Sequence, residues 1–285
     1  MAEKRRTVYF DLLNICACFC VVWLHNNGIV HQFTNSAAWK QSLVVETIAY
    51  WAVPIFFMLT GATLMRYRER YDTKTFFKKR LCKVFVPFLV WSVIMLIYKS
   101  WRGTFVLTDF SFQNLATVFL NNQMQSVYWF FFPLFAIYAS MPVLSLLSGQ
   151  RKWLWYMVGL SFVTQACCPL LCKLAGIQWN AALAFPMTGG HLIYPILGYL
   201  LSTEDLSFKK RIAIYLAGAG AVVLRYTATY FLSMRDGETN RTFFGYNYFT
   251  AVLLGVAVFV LFKHIKLDWL TKREKLCKAL SVISS

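Results

Sequence analysis

The stretch FDLLNICACFCVVWLHNNGIV, Phe10 to Val30, limits what this chain can become more than any other. At a rise of about 1.5 Å per residue it is long enough to cross a hydrocarbon layer of about 30 Å, where a helix satisfies its own backbone. Asp11, Asn14, Cys18 and His25 interrupt its apolar character, and at about 100° per residue they fall on one stripe. Asp11 and His25 are then roughly 21 Å apart along the helix axis. Ionisable groups at such depth face a protein interior or a water-filled cavity, so the stripe is a candidate functional wall. A lone histidine as often does no more than hydrogen-bond a neighbouring helix, and spacing alone does not choose between the two.

Runs of this kind recur along the 285 residues, which are 58% hydrophobic, 18% aromatic and only 14% charged, with a mean hydropathy of +0.51. That balance predicts an all-α fold, a polytopic transmembrane helix bundle forming a single domain over residues 1–285. A net charge of +17 would suggest nucleic acid in a soluble chain. Here the basic residues cluster between apolar runs with no aromatic residues interleaved for base stacking, which points to cytoplasmic loops against anionic lipid headgroups. Membrane lipid is an expected partner and nucleic acid is not. Of the eight cysteines, Cys16, Cys18, Cys20, Cys167, Cys168 and Cys172 lie inside apolar runs, Cys82 begins another and Cys277 is near the end. No CxxC pair with matching histidines accompanies them, so they read as small buried hydrophobes and no metal is expected. The length of the first run and its lack of a small-residue cleavage site indicate a retained span rather than a signal peptide.

Lys4, Arg5 and Arg6 place the N-terminus in the cytoplasm by the positive-inside rule. A short external loop, His31 to Gln41, leads to a second span at about Leu43 to Met65, which carries Glu46 at a depth similar to that of His25. A pairing of the two is geometrically open. Pro54 and Gly61 allow a kink or a close helix approach. The loop that follows is the most basic in the chain, with Arg66, Arg68, Arg70, Lys74, Lys78, Lys79, Arg80 and Lys83. It reads as an orientation signal and headgroup anchor, or more sharply as a landing site for a phosphorylated cytosolic ligand, since guanidinium groups bind phosphate oxygens bidentately.

Further spans are expected near Val84 to Tyr98, Val127 to Leu147, Trp153 to Cys172, Ala181 to Leu201, Ile212 to Leu232 and Phe243 to Phe262, about eight in all. Trp129 opens the fourth, where interfacial aromatics are common. The sixth is interrupted by Pro186, Gly189, Gly190 and Pro195 around His191. Such breaks are tolerated where the freed backbone lines a cavity or is buried in protein, and His191 would share that cavity or cap the break. Arg225, in the seventh, needs a partner or water unless it snorkels to the outer interface.

In order along the chain, FDLLNICACFCVVWLH, VPIFFMLTGATLM, FFKKRLCKVFVPFLVW, YWFFFPLFAIYASMP and YPILGYLL resemble the successive signatures of the acyltransferase 3 family. These are integral-membrane O-acyltransferases that modify sugars, cell-wall glycans and antibiotics. The resemblance implies that His25 is the general base on an acceptor hydroxyl, a role suited to an imidazole that titrates near neutrality. Asp11 and Glu46 are the accompanying catalytic candidates. It implies that Arg80 holds a cytosolic acyl-CoA, acetyl-CoA above all, as co-substrate, and Arg66, Lys79 and Lys83 nearby are the accompanying binding candidates. Trp129 and Phe130 match the family's aromatic start of the fourth helix, and Thr60 and Gly61 match its usual Ser and Gly. Asn14, Trp129, His191 and Arg225 are expected to meet the substrate. The expected activity is transfer of an acetyl group to a hydroxyl of a sugar, cell-wall or surface glycan by a multi-pass enzyme of the bacterial plasma (cytoplasmic) membrane.

Two departures from the family pattern stand out. Asn14 occupies the place where the family usually has an arginine, and its amide supplies weaker, uncharged hydrogen bonds, so activity is altered or another cation such as Arg225 substitutes. The ending ALSVISS resembles the lead-in to the family's last helix, so a truncated C-terminus is expected, and either departure could cost activity. The alternative is a transporter or ligand-binding membrane domain on the same scaffold. Membrane-bound serine racemases of glycopeptide-resistant bacteria have a related membrane half, thought to import the amino acid. The lost arginine and the broken sixth span suit that reading; the retained His25 and Arg80 suit the enzyme.

Overall fold

Each long apolar run closes its backbone hydrogen bonds within a helix, and prolines and glycines decide where the helices change width or stop. The computed structural model describes residues 8–104, 111–271 and 273–284. The basic cluster Lys4, Arg5 and Arg6, on which the expected orientation rests, lies outside them. Helix α1 spans Val8–His25. The Ser36 hydroxyl accepts from the Trp39 amide and starts α2, Ala37–Ile48, so the second span begins earlier than Leu43. It tightens into a 3-10 turn at Ala49–Trp51 and continues as α3, Ala52–Leu64. Pro54 explains the change of width, because its ring would strike the Tyr50 carbonyl in an unbroken α-helix.

The basic stretch expected as a loop is largely helical. Asp72 accepts from the Thr75 amide at 3.1 Å and caps α4, Thr73–Arg80; those interactions with Thr75 hold its carboxyl below the usual carboxylate range. Helix α4 passes through a π-helical turn, Leu81–Phe85, into α5, Val86–Trp101. The cause is Pro87, which has no N–H and would collide with the Lys83 carbonyl; the Val86 amide instead reaches back to Leu81. The long loop after α5 contains α6, Phe112–Leu120. A 3-10 turn at Ser126–Phe130 enters α7, Phe131–Leu146. The proline device recurs in the fifth span: α8, Arg151–Ser161, widens at Phe162–Cys167 ahead of Pro169 and continues as α9, Cys168–Leu174.

The sixth span is broken more thoroughly than its sequence suggests. Two short 3-10 turns, Ala181–Leu183 and Pro186–Thr188, replace its first half, and only α10, Ile193–Thr203, is α-helical. Helix α11, Phe208–Asp236, ends at Gly237, whose φ of 70° is the left-handed conformation glycine adopts without penalty. Helices α12, Phe249–His264, α13, Asp268–Thr271, and α14, Glu274–Ile283, complete the described chain. Among the described residues six helical stretches are long and apolar enough to cross a membrane, and α10 and α12 are shorter apolar helices. Together they correspond to the eight expected spans, and the all-α bundle stands.

The chain folds as two compact units, one of residues 1–65 and 149–285, the other of residues 66–148. In the first, α3 and α10 touch backbone to backbone. A Cβ added at Gly61 would overlap the Pro195 carbonyl, and one at Gly198 would overlap the Met58 carbonyl. Helix α12 closes on α3 where Gly255 meets Pro54. The end of α10 is tied down by Lys263 Nζ, which donates to the Leu201 and Glu204 carbonyls at 2.8 and 2.6 Å. Arg151 adds a bond to the Glu204 carboxylate at 2.8 Å. The second unit is centred on Phe88, only 2% exposed, among the rings of Phe119, Phe131 and Phe135.

Gly61→Ala and Gly198→Ala should each lower the thermal stability of the purified protein by more than the 1–3 kcal/mol of ordinary overpacking, because backbone rather than a side chain must move. Gly220→Ala, with nothing within 4 Å of the new methyl, should be neutral or stabilising. Melting curves of the three variants in one detergent check the contrast.

Candidate functional site

The His25 end of the first unit is held by one tryptophan. Trp39, fully buried, donates from Nε1 to the Val30 carbonyl at 3.2 Å, and Thr239 Oγ1 donates to the same carbonyl at 2.9 Å. The loop after α1 and the loop after α11 are thereby pinned together, with Phe33, Tyr226, Tyr230 and Phe244 packed around Val30, Trp39 and Leu43. Asn27 is cross-linked to Ser42, donating to its carbonyl at 2.8 Å and accepting from its hydroxyl at 2.5 Å.

On this scaffold Glu46 of α2 meets Arg225 of α11. Glu46 is 7% exposed and Arg225 2%, and Arg225 Nη2 stands 3.7 Å from Glu46 Oε1, an ion pair longer than a hydrogen bond. The guanidinium carbon lies 3.2 Å from the centre of the Tyr50 ring and 5.2 Å from that of Phe244. None of the three guanidinium nitrogens makes a hydrogen bond among the described residues. The Tyr50 hydroxyl donates to the Phe244 carbonyl, its ring stacks on Tyr246 at 4.1 Å, and the Tyr194 hydroxyl donates to the Tyr246 carbonyl. His191 joins this tyrosine ladder, 6.4 Å from the Tyr194 ring and 5.1 Å from Phe57. The partner that Arg225 requires is therefore Glu46, and snorkelling is not its solution.

His25 closes α1 with an exposed side chain and makes no hydrogen bond or ion pair among the described residues. An imidazole unoccupied by a protein partner can take a proton from an incoming hydroxyl. Asp11 is not brought to it. Asp11 accepts from Ser284 Oγ at 2.7 Å, while Asn14 Nδ2 donates to the Ser284 carbonyl at 2.8 Å. The polar stripe of α1 is thus split between two environments, one half covered by the end of α14 and the other, with Cys18 and His25, exposed.

In the second unit the basic candidates part company. Arg80 lies 5.6 Å from the Tyr138 ring and 6.0 Å from Phe76, and it lines an apolar cavity of about 330 Å³ with Phe77, Phe85 and Phe135. Lys83 lines a different cavity, of about 260 Å³, with Phe88, Trp91 and Tyr128. Lys79 sits over the Tyr71 ring at 4.0 Å, and Arg66 pairs with Glu69 at 2.7 Å in an exposed bridge. Trp129 is half-buried in the turn before α7.

Sequence reasoning missed Tyr50, Tyr194 and Tyr246, whose only signal was the four-residue spacing of Glu46 and Tyr50. It missed a polar cavity of about 460 Å³ lined by His31, Phe33, Gly237, Glu238, Thr239, Asn240 and Arg241. The cysteines are free, and contrary to expectation none is fully buried, Cys18 and Cys82 being exposed; they face outward from their helices. Among the described residues no group of His, Cys, Asp or Glu could hold a metal.

Long apolar helices around a buried ion pair define a multi-pass membrane protein. The chain belongs to the acyltransferase 3 family, whose model, described as an acyltransferase domain, matches residues 7–285, essentially its whole length. No curated protein and no solved structure matches it.

Breaking the buried pair should be costly. Glu46→Gln or Arg225→Gln alone should destabilise by about 3–5 kcal/mol, while the double variant should recover much of the loss. Thermal melts of the four proteins measure the coupling directly.

Proposed function

We propose that the protein is a plasma-membrane O-acyltransferase that moves an acetyl group from cytosolic acetyl-CoA to a hydroxyl of a sugar, cell-wall or surface glycan. The observation that carries this reading is the exposed His25 imidazole at the end of α1, without a hydrogen-bond partner among the described residues, in a chain that the family model matches from residue 7 to residue 285. His25 takes the hydroxyl proton as the oxygen attacks the thioester carbonyl. A C–O bond forms, the C–S bond breaks, and the departing thiolate recovers a proton from the imidazolium. Glu46 stays with Arg225 as the buried ion pair that holds α2 against α11. Among the basic candidates Arg80, with an unbonded Nε, is best suited to the donor, and Lys79 and Lys83 add cationic charge on the same helical stretch. Arg66 is committed to Glu69 and contributes least. Asp11 is a structural group that holds α14, and a cytoplasmic N-terminus puts the basic stretch on the side of the donor.

Purified protein should bind acetyl-CoA, with Arg80→Ala weakening binding at least about tenfold and His25→Ala leaving it largely intact. His25→Ala should lower acetyl transfer by about 10²–10⁴-fold; undiminished turnover would remove it as the base. The engagement of Asn14 by Ser284, with no cation at that position, favours the second reading, a transporter or ligand-binding domain. A folded protein that binds no acetyl-CoA would move the assignment there.

A further inference from the structure

The buried face of α11 changes character along its length. Its buried residues are Gly218, Ala221, Arg225, Thr229 and Ser233: small toward one end, polar toward the other. Gly218 lies against Ala257 of α12, and in an antiparallel pair each step forward on α11 is matched by a step back on α12. Two turns on, Arg225 therefore comes opposite Thr250, and Thr229 follows one turn later on the same buried face of α11. Thr229 and Thr250 are 0% and 2% exposed, and among the described residues neither hydroxyl has a hydrogen-bond partner. Nor have the three nitrogens of Arg225.

Buried polar groups are normally satisfied, so a guanidinium and two hydroxyls left unbonded within about one turn of a helix seam call for a ligand that accepts several hydrogen bonds. The polar stripe also leads somewhere. Ser233 Oγ, one turn beyond Thr229, accepts from the Asn240 amide at 2.9 Å, and Asn240 lines the 460 Å³ cavity with His31, Glu238 and Arg241.

The geometry points to a carboxylate subsite at Arg225, flanked by Thr229 and Thr250 and reached from the cavity beside Asn240. Calling the bound molecule the acceptor rests on the acyltransferase reading; the acceptor is then a hydroxyl compound that also bears a carboxylate. Glu46 engages the guanidinium only at 3.7 Å and leaves its donors free for a planar two-oxygen group, which forks onto a guanidinium edge. A singly charged carboxylate suits this site better than a phosphate, because Glu46 already supplies one negative charge.

The test is ligand binding without any acyl donor, so that its failure is distinct from a failure of acyl transfer. Purified protein in nanodiscs is titrated with D-glucuronate, D-glucose and glucose 6-phosphate, and in parallel with glycerate and glycerol, and thermal stabilisation is read. The subsite predicts that at least one carboxylate binds tenfold or more tightly than its neutral counterpart. Because Arg225→Gln alone strands Glu46, the binding variant is the Glu46→Gln, Arg225→Gln double, accompanied by Thr229→Val. The double should abolish the carboxylate preference, Thr229→Val should weaken it severalfold, and the exposed Arg235→Gln should leave it unchanged. Equal binding of acid and neutral partner, as when ordered water alone serves Arg225, would overturn the proposal. So would a preference that survives in the double variant, or a stronger response to glucose 6-phosphate than to either carboxylate.

Discussion

A guanidinium cannot be left alone inside an apolar helix bundle. Transfer of an unpaired charge from water costs several kcal/mol even after relaxation, so burial of Arg225 requires Glu46, and the elements that carry them must meet. That requirement explains the masonry around the pair. Trp39 and Thr239 share the Val30 carbonyl, Asn27 grips Ser42, and the rings of Tyr50 and Phe244 close over the cation. The ion pair, at 3.7 Å, holds the charge without saturating its donors.

Two further constraints are steric. Gly61 and Gly198 let α3 and α10 approach until backbone meets backbone, as small residues do where apolar solvent offers no hydrophobic drive for association. That contact carries Tyr194 and His191 toward the tyrosine ladder. In the other unit Pro87 widens the helix just after Arg80. A π-helical turn changes the angular order of side chains, so Arg80 and Lys83 line different cavities instead of forming one basic face.

Much of this was legible in the residues. Hydrophobic length located the six long apolar helices and the two shorter ones, because in a membrane each helix satisfies its own backbone and needs no neighbour to exist. The break around His191 was legible from its prolines and glycines, and the need of Arg225 for a partner from the cost of burying it. The helical state of the basic stretch was misread because eight cationic side chains look like a loop, whereas a single Asp72 cap outweighs that impression. The stripe of α1 was legible, but not that Ser284 would meet its Asp11 end while its His25 end stays exposed, because a helical stripe has one direction but two ends.

Spans, the polar stripe of α1, the isolated cation in α11 and membership of the acyltransferase 3 family were determined by the sequence itself, since each depends on order along the chain. Which carboxylate answers Arg225, and that Ser284 occupies Asn14, were decided only by tertiary structure. Those facts depend on the rotation and register of helices distant in sequence, and hydrophobic periodicity carries no record of either.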